Sequence, residues 1–236
     1  MNMVNIDLHR SFFIKILREI YTDPTLRTIL GFKGGTAAML FYGLPRFSVD
    51  LDFDLLAGTK KELVFEKLNQ ILPKYGVVSQ AADKQFTLFF LLNYLAGERN
   101  LKIEISKRVV PAKFVIKNYL GISMLVMTEA DMAAGKLAAL LTRKKFATRD
   151  VFDTWFFLKN NWPINEDVFI DKTGLSLFEA FEKAKTQVTH IKKTELLAGM
   201  GDLLDNKQKD WVREKLVNEL VFYLDLYQSE IKKKAS

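Results

Sequence analysis

Cysteine is absent from the 236 residues, and histidine occurs only twice. Without cysteine there is no disulfide framework, no thiolate nucleophile and no cysteine-ligated zinc finger, so the chain reads as cytosolic. The two imidazoles, His9 and His190, are far apart and form no His-Glu-x-x-His helix pattern, which speaks against classical zinc hydrolysis. Long apolar runs are lacking as well. The longest candidate, around Phe86 to Leu95, contains Thr87 and Asn93 and falls short of the ~18 residues that a membrane span needs. Charges are threaded through the apolar residues of the N-terminal segment, which therefore lacks the uninterrupted core of a secretory signal. The expectation is a soluble, cytoplasmic protein with no membrane partner.

What the chain has in excess is positive charge: 35 Lys and Arg against 28 Asp and Glu, a formal +7. Between Lys102 and Arg149 there are ten basic residues against three acidic ones, so this stretch holds the whole excess. It is the place for a polyanionic partner, with Arg143, Lys144, Lys145 and Arg149 as candidate RNA contacts. A solvated basic face is the plainer explanation.

Apolar positions at Leu8, Phe12, Ile16, Leu17 and Ile20 recur near the helical period and predict an amphipathic helix over Leu8 to Tyr21. A short helix is expected from Thr36 to Tyr42, behind Gly34-Gly35. From Ser48 the pattern changes to Ser-Val-Asp-Leu-Asp-Phe-Asp-Leu, a strand with an oily and an acidic face. Lys60 to Leu72 reads as a helix. Gln85 to Leu95 reads as an interior strand forming a hairpin with Leu101 to Ser106, and Ser123 to Met127 as a further strand. A helix follows to about Arg143, and beyond Asp150 the chain looks helical, ending in one helix from Lys207 to about Ile231. The fold class expected is α+β, a mixed sheet flanked by helices followed by an all-helical half. A soft boundary near residue 116 divides a 1–116 domain from a 117–236 helical domain that completes the active-site cleft.

Carboxylates at i and i+2 on a strand project to the same side, roughly 6.5 to 7 Å apart at their Cα atoms. Asp50 and Asp52 are thus placed to share a metal ion, or to bracket a pair, as phosphoryl transfer requires. Glu104 lies on the polar side of Leu-Lys-Ile-Glu-Ile-Ser; with that strand beside the first, it joins the acidic face as a metal ligand or proton acceptor. Gly34, Gly35 and Thr36 open a helix whose first N–H groups and dipole suit a triphosphate oxygen. A lone Asp-x-Asp or a Gly-Gly turn is weak evidence; their order along the chain is stronger, and neither common glycine-rich nucleotide loop occurs.

The segment Phe-Lys-Gly-Gly-Thr through Arg-Phe-Ser-Val-Asp-Leu-Asp, then Leu-Lys-Ile-Glu-Ile-Ser, then Gly-Lys-Leu through Thr-Arg-Asp-Val-Phe-Asp, resembles the AbiEii/AbiGii toxin family of the DNA polymerase beta-like nucleotidyltransferase superfamily. The resemblance covers roughly residues 30 to 160. It implies a nucleotidyltransferase fold with a helical C-terminal part, and a toxin neutralised by a cognate antitoxin. Carried over, Gly34, Gly35 and Thr36 hold the triphosphate with Lys33 nearby and Ser48 contacting a phosphate, while Asp50 and Asp52 bind one or two Mg²⁺ ions. Lys136 reaches the nucleotide, and Asp150 or Asp153 supports it or acts as base. The implied activity is transfer of a nucleotide from a nucleoside triphosphate to RNA, commonly tRNA. Two alternatives stand beside it: transfer of nucleotide or phosphate to a protein hydroxyl, and a catalytically silent binding module.

Overall fold

The N-terminal amphipathic pattern folds as α1 (Ile6–Thr22), where the Asn5 side chain caps the helix by accepting from the Leu8 N–H. Its Phe13, Ile16, Leu17 and Ile20 are fully buried. The computed structural model describes residues 5–143 and 146–235. These divide into two compact units, Met1–Thr128 and Glu129–Ser236.

In the first unit, Asp23 ends α1 and its carboxylate accepts the N–H groups of Thr25 and Leu26, starting α2 (Leu26–Ile29). Next come β1 (Leu30–Lys33), α3 (Gly34–Tyr42), β2 (Asp50–Leu55), α4 (Lys61–Ile71), β3 (Val77–Lys84), β4 (Thr87–Asn93), β5 (Leu101–Ser106), β6 (Phe114–Tyr119) and β7 (Ile122–Met127). The strands form one seven-stranded sheet in the order β3-β4-β5-β2-β1-β7-β6. Pairs β2–β5 and β1–β7 are parallel and the others antiparallel, so the sheet is mixed.

The register is fixed by burial. Leu51 and Phe53 of β2, Ile103 and Ile105 of β5, and Leu88, Phe90 and Leu92 of β4 are all at 0 % exposure. Each contributes about 1.5–3 kcal/mol relative to exposure, and a slip of one residue would turn the whole set outward. The same constraint forces the intervening Asp50, Asp52 and Glu104 onto the other face.

Strand β1 inside the sheet and strands β3 and β6 at its edges add to the four strands read from the sequence. In β3, Val-Val-Ser-Gln-Ala-Ala-Asp-Lys has little alternation and is largely exposed, so periodicity carries no signal there. The β6–β7 hairpin keeps the sheet unit going to Thr128, so the units divide after that residue, whereas the sequence places its soft boundary near 116.

The second unit is helical: α5 (Glu129–Thr142), α6 (Thr148–Lys159), α7 (Glu166–Thr173), α8 (Leu177–Thr189), α9 (Asn206–Glu214) and α10 (Leu216–Ala235). The single terminal helix expected over Lys207 to Ile231 is instead broken at Lys215, whose backbone leaves the helical region. Indole N–H groups of Trp155 and Trp211 both donate to the Glu219 carboxylate, bringing α6, α9 and α10 together. Leu216, Leu220 and Leu224 are fully buried.

Candidate active site

Parallel pairing of β2 with β5 sets Asp52 beside Glu104 and Asp50 beside Lys102. Paired residues share a sheet face, so the two strand motifs are brought together as their alternation predicts. Asp54 continues the acidic row but is buried, and it accepts an ion pair from Lys33 of β1.

The turn from β1 into α3 lies against this row. Gly34 has φ +80°, and a Cβ built on it would sit 2.5 Å from an Asp52 carboxylate oxygen. Only glycine accommodates both the left-handed backbone and that approach. A Cβ on Gly35 would meet the Arg46 guanidinium and the Ser48 hydroxyl, each at 2.8 Å. Thr36 is fully buried, and its hydroxyl donates to the Asp50 carbonyl oxygen, pinning the helix start onto the start of β2. The N-cap residue Lys33 makes no side-chain cap bond to α3, and a helix start of this kind, with its first-turn N–H groups and dipole, suits an anion.

Ser48 differs from the sequence reading: β2 begins at Asp50, and Ser48 packs on Gly35 from the loop ahead of it rather than from the strand. Two residues that the sequence reading left without a role also belong here. Buried Arg46 donates to the Phe47 carbonyl at 3.0 Å and packs on Gly35; its signal was its place in the Arg-x-Ser-x-Asp-h-Asp segment. Lys102, in sequence one member of the basic stretch, is the other. Its ammonium is 3.0 Å from Glu104 and 3.2 Å from Asp50, and as the residue two before Glu104 it was legible on the same strand face.

The electrostatics follow from this crowding. Burial pushes the Asp52 carboxyl above the ordinary aspartate value, with Asp50 and then Glu104 adding to the rise and Lys102 and Lys33 opposing it. The Lys102 ammonium is pushed up by Asp50 and Glu104 against the contrary effect of its own burial. Behind the row, His9 is fully buried, donating from Nε2 to the Val49 carbonyl at 2.9 Å while Nδ1 accepts from the Tyr94 hydroxyl at 2.8 Å. It is a structural histidine in the neutral state, lowered by burial.

In the helical unit, Lys136 of α5 lies 2.9 Å from Asp150 and 2.8 Å from Asp153 of α6, both buried. Arg143 closes the group, with Nε 3.0 Å from the second Asp150 oxygen. Of the expected RNA contacts, Arg143 is therefore committed to Asp150, Arg149 is half-buried in the first turn of α6, and Lys144 and Lys145 lie outside the described residues. Elsewhere in the basic stretch, Lys107 pairs with Asp83, and Lys117 lies over the Tyr42 ring at 4.1 Å. The excess charge is thus partly consumed by internal partners.

A model of the AbiEii nucleotidyl transferase toxin family, from type IV toxin–antitoxin systems, matches residues 15–218. The chain belongs to that family. Its class is that of a nucleotidyltransferase enzyme of toxin–antitoxin systems. Two crystal structures share the AbiEii-family chain's fold. One is of a candidate nucleotidyltransferase from H. pylori, at TM-score 0.63 and 22% identity over 97% of this chain and 96% of that one. The other is of JHP933 from Helicobacter pylori, at TM-score 0.61 and 20% identity over 99% and 97%. No curated protein matches. Among the described residues no helix is long and apolar enough to cross a membrane.

Nucleotidyltransferases of this class imply a divalent cation, and the donor set of this AbiEii-family chain suits one. Asp50 and Asp52 present hard carboxylate oxygens on one strand face, the donor type that Mg²⁺ prefers. Among the described residues no three acidic or histidine side chains gather tightly enough to hold an ion alone. The Lys102 ammonium draws the Asp50 and Glu104 carboxylates to itself, and substrate phosphate supplies the remaining oxygens of such sites.

Proposed function

We propose that this chain transfers a nucleotide from a nucleoside triphosphate to a hydroxyl of RNA, tRNA being the acceptor class favoured, in a Mg²⁺-dependent reaction in the cytoplasm that a cognate antitoxin restrains. The observation that carries this reading is the convergence of Asp50, Asp52 and Glu104 on one sheet face with the Gly34 turn packed against Asp52.

The first turn of α3 and the Gly34–Thr36 backbone hold the triphosphate tail, with Arg46 and Ser48 fixing the shape of that turn. Asp50 and Asp52 would hold the Mg²⁺ ion, which when bound would supply neutralisation of the phosphate oxygens. Glu104 takes the proton of the acceptor hydroxyl, and Lys102 orients its carboxylate for that task. The acceptor oxygen forms a bond to the α-phosphorus as the bond from that phosphorus to the bridging oxygen breaks, and pyrophosphate leaves with the electron pair. In the helical unit the Lys136 ammonium is held in place by Asp150 and Asp153. Incubation of the purified chain with each α-labelled nucleoside triphosphate, Mg²⁺ and total RNA tests the reading. Label in RNA supports it; label in protein, or in neither, refutes it.

A further inference from the structure

Strand β4 shows an oily residue at almost every position, yet only one of its faces is fully buried. Leu88, Phe90 and Leu92 are at 0 % exposure, whereas Thr87, Phe89 and Leu91 are only partly buried, on the face that carries Asp52 and Glu104. Phe89 pairs directly with Glu104 across β4–β5, and Ala82 lies beyond it on β3. Across the sheet the order on this face is Lys33 and the Gly34 turn, Asp52, Glu104, Phe89, Ala82, with about 5 Å between neighbouring strands.

That order has a chemical direction. Displacement at an α-phosphorus proceeds in line, so the attacking hydroxyl stands opposite the departing pyrophosphate. With the triphosphate tail on the Gly34 side, the acceptor must come from the β5–β4 side, where Phe89 is the aromatic ring next to Glu104. One strand spacing is also the scale that separates a ribose hydroxyl from its own base. An ammonium already sits on this ring: Lys84 Nζ is 3.7 Å from the Phe89 centroid. Lys84 is exposed near the end of an edge strand, and a surface cation–π contact is weaker than base stacking on an aromatic face, so a base can replace it. The displaced ammonium then has a backbone phosphate to meet.

We propose that Phe89 is a stacking platform for the terminal base of the acceptor RNA strand, with Lys84 as its phosphate partner. This rests on the reading above that RNA is the acceptor. The occupant is a nucleobase attached to a polyanionic strand, which matches an aromatic ring flanked by an exposed cation and gives a role to the oily side chain paired with Glu104.

The test uses the full chain and a short single-stranded RNA bearing 2-aminopurine as its 3′-terminal base. Binding to wild type should quench the fluorophore further, whereas the same fluorophore placed internally should show no added quench. Phe89→Leu keeps the apolar bulk without the π face; it should lose the quench and weaken RNA binding by roughly 5- to 150-fold, the range for one stacked base, with nucleoside triphosphate affinity unchanged. Phe89→Trp should restore both, and unchanged thermal melting confirms that the variants fold. Wild-type affinity and quench in Phe89→Leu would overturn the platform, as would quenching of 2-aminopurine riboside triphosphate in place of the RNA probe. The binding readout needs no turnover. Transfer to RNA with an indifferent Phe89 therefore sinks this inference alone, while absence of transfer to RNA by wild type sinks the reading beneath it.

Discussion

Gly34 packs on Asp52 so closely that a methyl group added to the glycine would lie 2.5 Å from the carboxylate oxygen. The turn proposed to receive phosphate and the carboxylate proposed to receive metal are thus built against each other. Gly34→Ala meets two obstacles, that contact and a φ of +80° that costs an L-residue about 1–2 kcal/mol. The expected outcome is loss of nucleotide transfer with a lowered melting temperature, measured on the same preparation. Wild-type transfer by Gly34→Ala would mean that the turn is not part of the site.

Asp52 gives a pH-dependent prediction. Its folded carboxyl is raised above the ordinary 3.8, so the folded chain holds that proton more tightly than the unfolded chain does. Stability from this group is complete below about pH 4 and is lost as pH rises through the folded value. At about pH 7 without divalent cations, Asp52→Asn should therefore melt higher than wild type, and the gap should close as pH falls toward 4. Mg²⁺ should raise the melting temperature of wild type and leave Asp52→Asn nearly unmoved. A neutral-pH melt in which the variant is no more stable contradicts the crowding described.

Lys102 bridges Asp50 and Glu104, so it competes with a divalent cation for the same oxygens. Lys102→Met should bind Mn²⁺, followed by calorimetry, several-fold more tightly than wild type. Without metal it should melt lower, because two carboxylates lose their counter-charge. Unchanged Mn²⁺ affinity would show that the ion pairs lie outside the metal site.

Lys136 is the ammonium common to two buried carboxylates. Its replacement by Met should lower stability in urea denaturation by about 3–5 kcal/mol, the cost of breaking a buried pair. A loss below about 1 kcal/mol would place the cluster in a far more hydrated setting. The Arg143 link to Asp150 also means that Arg143→Ala reports on this cluster as well as on any RNA contact.

Much of this was legible because alternation on a strand is a strict rule. Asp50, Asp52 and Glu104 stand on one face because Leu51, Phe53, Ile103 and Ile105 must stand on the other. The acidic row, its partner strand and the helix behind Gly34-Gly35 therefore emerge from pattern alone. Strand β3 did not, since an exposed edge needs no oily face. Lys102 was visible in position but not in role: an ion pair depends on which strand lies alongside, and the parallel β2–β5 pairing bridges residues some fifty positions apart. The break at Lys215 was hidden within a continuous amphipathic pattern, because the helical period persists on both sides of it.

Asp50 and Asp52 are proposed to support nucleotide transfer to RNA. The most direct measurement is incorporation of α-labelled nucleoside triphosphate into RNA by wild type and by Asp52→Asn, with Mg²⁺ held constant. The account predicts label in an RNA acceptor with wild type and none with the variant. Equal incorporation by the two proteins, or label found on protein while RNA stays unlabelled, would contradict it.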